Sequence, residues 1–208
     1  MTLKTTLSLA IALPVALGVS ATAYADRDET QLSLVAGGSL AKVAAFDGEG
    51  ATELIGGGIT LARGMRNWLT LGVSARYDAR SDAEIPAASL DGLGGNGHTL
   101  FTDLQVATAA AEVRLYAEFS PFLRSRPFIG VGGGLQAIQY GSPALFLDSG
   151  AAAAVGASSW TFSPLATGEA GMTYRLHDSL EAAVVLNIAS TSELTRYGLN
   201  IEFSWMLR

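Results

Sequence analysis

Polar and apolar residues alternate in long runs along this chain, most cleanly at its end. In TRYGLNIEFSWMLR, residues Tyr197, Leu199, Ile201, Phe203, Trp205 and Leu207 fall on one parity, and Gly198, Asn200, Glu202, Ser204, Met206 and Arg208 on the other. Period-two alternation is the signature of a strand with two different faces. Eight such segments stand between turn signals, at about 30–41, 53–63, 68–78, 104–119, 127–139, 159–175, 179–189 and 196–207. VATAAAEVRLYAEF has the alanine content of a helix, but Ala107, Ala109, Ala111, Val113, Leu115, Ala117 and Phe119 share one parity, and Thr108, Glu112, Arg114, Tyr116 and Glu118 the other, so it too reads as a strand.

The connections alternate in length. GMRN, SPFLRSR and LHD link the second, fourth and sixth strands to their successors. The links at about 42–52, 79–103 and 140–158 are long and rich in Gly, Ser, Asp and Pro, while STSELT is a short link on the long-loop side. Short turns at one end and long loops at the other are the habit of transmembrane barrels, and an even strand count puts both termini on the periplasmic side. The predicted fold is all-β: an eight-stranded antiparallel up-and-down transmembrane β-barrel.

A soluble barrel that hides its apolar parity inside would alternate in the same way. Three features favour the membrane. The polar parity is mostly Gly, Ser, Thr and Ala, as in Thr70, Gly72, Ser74 and Arg76, which suits a narrow eight-stranded interior better than a water-facing surface. Aromatics on the apolar parity (Tyr77, Phe119, Trp160, Phe162, Tyr174, Tyr197, Phe203 and Trp205) gather near strand ends, where interfacial girdles belong. The strands are also about 10 residues or longer, enough to cross a bilayer at a tilt.

The first 25 residues read as a secretory signal peptide: Lys4, an apolar stretch over 7–19, and the cleavage site Ala23-Tyr24-Ala25. The expected organisation is a signal peptide at 1–25 and an outer-membrane barrel at 26–208. Removing the signal takes away one base and no acid, leaving 12 Lys and Arg against 19 Asp and Glu, with Lys42 the sole lysine. An acidic exported chain is a poor partner for nucleic acid. There are no cysteines, while 49% of the residues are hydrophobic, so the chain has neither disulfides nor the lysine-rich surface of a soluble domain.

Candidate chemistry is sparse. GVGGG at 130–134 lacks the helix start and the Gly-Lys-Ser/Thr of a phosphate loop, and is read as Gly130, Gly132 and Gly134 leaving room inside a barrel. His177-Asp178-Ser179 has the letters of a hydrolase triad, but three consecutive residues cannot converge on one line of proton transfer. His98 is the other histidine, too little for an imidazole metal site. No catalytic residue, cofactor or metal is therefore assigned. The informative constellation is charged and inward-facing: Arg76, Glu112, Arg114, Glu169 and Glu202. Arg76 and Glu112 are expected at similar heights on adjacent strands, and Arg114 near Glu169 across the glycine-lined fifth strand, with Glu202 close to that level. Charges in a narrow lumen must be paired, so the set is read as a structural ion-pair network.

RPFIGVGGGLQA, FSPLATGEAGMTYRLHDSLEAAVVLNI and the terminal YGLNIEF resemble the small outer-membrane barrels of the opacity, OmpX and OmpW type, porin-like in fold, over nearly all of residues 26–208. The resemblance implies residence in the outer membrane of a Gram-negative bacterium and a final-strand signal for the barrel-assembly machinery, matched by Arg196, Gly198, Ile201 and Phe203. The usual terminal aromatic is absent, and SWMLR runs past its place. The expected role is non-enzymatic, structural or adhesive, through the extracellular loops. The alternatives are a conduit for small apolar solutes and a lipid A-modifying barrel enzyme. Expected partners are outer-membrane lipid and lipopolysaccharide, the assembly machinery, and host or matrix surfaces. Asp47, Glu49, Glu53, Asp82, Glu84, Asp91, Asp103, Asp148 and Glu193 fall in or beside the outer loops, against Lys42, Arg80 and Arg196, so the outer end is expected to repel polyanions.

Overall fold

A computed structural model describes residues 29–43, 51–86, 99–117, 124–146, 152–154 and 160–207. The strands are β1 (Thr30–Val43), β2 (Thr52–Arg66), β3 (Leu69–Pro86), β4 (Thr99–Tyr116), β5 (Ser125–Phe146), the three-residue β6 (Ala152–Ala154), β7 (Trp160–His177), β8 (Leu180–Ser190) and β9 (Leu194–Leu207). Eight long strands pair antiparallel with their neighbours. The ring closes where β1 meets β9, from Thr30↔Leu207 to Val43↔Leu194, while β6 adds only to the outer end of β5. This is the closed eight-stranded barrel expected from the alternation. No helix among the described residues is long and apolar enough to cross a membrane.

The two parities separate as a membrane barrel requires. Ile55, Phe162 and Val131 point outward and are 78%, 70% and 66% exposed, whereas inward-facing Asp78 and Glu202 are 0% and 2% exposed. Large apolar groups outside and charges inside invert the order of a soluble domain. The outward aromatics sit at two levels, with Trp205 and Phe203 toward the short-turn end of β9 and Tyr197 toward its other end. Trp205 and Tyr197 are eight residues apart, about 26 Å along a strand, or roughly 20 Å along the membrane normal at the usual tilt, close to the apolar band of known barrels. Phe119, also expected in the girdle, lies outside the described residues.

Two of the long loops shrink. β3 and β4 run on to Pro86 and Thr99, which pair with each other, and β5 runs on to Phe146, so much of 79–103 and 140–158 is strand. Register shifts between Arg80 and Ala83 and between Phe101 and Asp103 explain why alternation concealed this. A bulge changes the phase of the pattern, so a strict period-two reading stops where the ladder goes on.

Adjacent glycines in β1 do opposite jobs. A Cβ on inward-facing Gly37 would overlap the Leu199 carbonyl and the Asn200 side chain, whereas one on outward-facing Gly38 would meet only the Leu54 carbonyl, at an ordinary 3.5 Å. Gly37→Ala should therefore cost about 1–3 kcal/mol of stability, as overpacking does. Gly38→Ala should stay within about 0.5 kcal/mol. Urea unfolding of the two variants in lipid, followed by tryptophan fluorescence, checks the contrast.

Candidate functional site: the charged lumen

The interior is a column of layers. At the mouth on the short-turn side, Glu181 lies 3.2 Å from Arg175 and 3.8 Å from Arg126. Arg126 donates to the Asn67 carbonyl at 3.1 Å and stacks 4.7 Å from the Tyr116 ring. Tyr116 and Phe128 follow, with centroids 5.4 Å apart, and the Arg114 guanidinium rests 5.0 Å from the Phe128 ring. Flat cations against ring faces fill the cross-section without leaving the charge bare.

Arg114 is the hub of the middle layer. The register sets Arg114, Gly130 and Glu169 in one row across β4, β5 and β7. Arg114 Nε donates to Glu169 Oε1 at 2.5 Å and Nη2 to Oε2 at 3.2 Å, a two-pronged grip. The guanidinium also reaches across the lumen to Glu202 on β9, at 2.9 Å, and lies 3.9 Å from Glu112. Glu112 in turn accepts from Ser74 Oγ at 2.5 Å. Gly130 makes the arrangement possible, since a Cβ there would overlap the Glu169 side chain.

A second cluster lies nearer the outer end. Arg76 Nε donates to Asp78 Oδ1 at 2.8 Å and Nη1 to Asn200 Oδ1 at 2.6 Å. Arg196 from β9 also grips Asp78, and Asn200 donates to Asn187 at 3.0 Å. This cluster has two guanidiniums to one carboxylate, and the middle layer has one to three. The two excesses of opposite sign face each other across a cavity of about 70 Å³ lined by both, room for about two water molecules. Above Asp78, the fully buried Ala41, Leu54, Leu104, Val106, Ile138 and Leu194 close the outer end with apolar side chains.

The structure regroups the charges named from the sequence. Arg114, Glu169 and Glu202 come together, with Glu112 at their edge. Arg76 and Glu112 do not meet: the register sets Arg76 opposite Thr108, and Glu112 opposite Gly72. β3 and β4 are joined at the outer end, so their periplasmic ends are free to stagger, and counting from those ends misplaces heights. Arg196 is not an outer-surface base, because it turns inward and is buried against Asp78. Of the other three residues matched to the assembly signal, Gly198 faces in beside Asn187, while Ile201 and Phe203 face out. Asp78 and Asn200 were not singled out, although they share the inward parity of Arg76 and Glu202 on the same strands, and Glu181 lies on β8, from which no inward charge was named. His177 and Ser179 touch at 3.3 Å, exposed on the turn between β7 and β8.

Removing one member of a buried ion pair strands the other, at a cost of about 3–5 kcal/mol when the site is dry. The neighbouring cavity admits water, so Arg114→Met and Glu169→Gln should each fall at or below the low end of that range. Their effects should not add, and a double-mutant cycle should return a coupling of at least about 1 kcal/mol. Strictly additive losses would show that the pair does not interact.

No protein-family model matches the chain, and no curated protein is significantly similar to it in sequence. Its structure, however, is similar to those of known proteins. Neisserial surface protein A aligns with a TM-score of 0.58 at 12% identity, covering 86% of this chain and 97% of that one. Ail, the attachment invasion locus protein of Yersinia pestis, aligns at 0.55 and 11%, covering 87% and 99%. The outer membrane protein OprG of Pseudomonas aeruginosa aligns at 0.51 and 12%, covering 89% and 100%. Identities this low make the likeness one of fold. In strand order, closure and the sense of its two faces, the chain is a small eight-stranded β-barrel of the outer-membrane type.

Proposed function

We propose that the chain is exported by cleavage after Ala25 and resides in the outer membrane as a non-enzymatic barrel, with a structural or adhesive role exercised through its outer end. The observation that carries this reading is the filled lumen. Apolar side chains close its outer third and ion pairs cross-link the rest, so the interior serves as a rigid support and the variable surface is at the loops. Arg196 is spent inside the barrel and Arg80 lies 3.4 Å from Glu53, which leaves the outer end poorer in available cation than the sequence suggested. That surface favours cationic partners or bridging divalent cations over polyanions. The Ail protein, by contrast, has been crystallised with the heparin analogue sucrose octasulfate, and this chain is expected not to share that ligand.

The conduit reading draws on one feature, the apolar lining of the outer third of the lumen. The Arg76–Asp78–Arg196 cluster lies directly beneath it, so an apolar solute would need a lateral exit above that level.

Purified protein in a planar bilayer should show no steady porin-scale conductance. Large, stable channels would mean that the layers described above open. Replacing residues 87–98 and 147–159 with short turns spares the eight long strands of the barrel and removes only the three-residue β6. The resulting protein should still fold and insert, but should lose binding to host or matrix surfaces; undiminished binding would remove the adhesive reading and advance the conduit.

A further inference from the structure

No further inference is drawn: the strongest candidate, the cavity of about 70 Å³ between the Arg76–Asp78–Arg196 cluster and the Arg114 layer, belongs to the charged lumen already described, and the guanidiniums of Arg76, Arg114 and Arg196 face the carboxylates of Glu112, Glu169 and Glu202 across it without singling out an anion or a cation.

Discussion

Every backbone amide and carbonyl that enters hydrocarbon must find a partner within the protein, and in this chain the pairing of β1 with β9 meets that demand. Without it, two edges of unpaired peptide groups would face lipid, each group costing several kcal/mol by rough estimate. The rest of the interior follows from this closure. Eight strands fix the width of the ring, and the width leaves space for side chains but no open channel. Inward positions must then be small wherever a large neighbour projects, which is why Gly130 lies beneath Glu169 and Gly132 beneath Thr167.

The same narrowness dictates how charge is handled. Water cannot solvate each carboxylate separately, so one guanidinium serves several: Arg114 meets Glu169 and Glu202 directly and lies within 4 Å of Glu112. Arginine suits this task because its planar fork presents several donors in fixed directions and stacks on Phe128 at the same time. A lysine at that position would satisfy fewer acceptors and leave the ring face uncovered. The one lysine among the described residues, Lys42, lies elsewhere, on the outward face of β1.

Face and strand were legible in the sequence because both are local. Each residue's parity depends only on its neighbours, and Leu199, Ile201 and Phe203 could be assigned outward, and Asn200 and Glu202 inward, without knowing which strands they touch. Height is not local. Whether Arg76 meets Glu112 or Asp78 depends on the stagger between β3 and β4, a property of the closed ring, and bulges such as that between Arg80 and Ala83 shift it again. Where two strands share a third as reference, the estimate improves: Arg114 and Glu169 both pair with Gly130. The outer reach of β3, β4 and β5 was hidden for the same reason that bulges hide strands, a change of phase rather than a loss of structure.

The span of the Arg114 contacts has a consequence for how the protein enters a membrane. Two of its three ion-pair partners lie 55 and 88 residues further along the chain, on β7 and on the last strand. During assembly Arg114 stays without Glu202 until β9 arrives, and contacts between such distant parts of a chain form late and slowly. A sheet short of β9 already holds Arg114 with Glu112 and Glu169, and Arg76 with Asp78, but its charged inward face is open along one edge, where hydrocarbon would meet it. Pairing of β1 with β9 is what turns that charged face away from lipid.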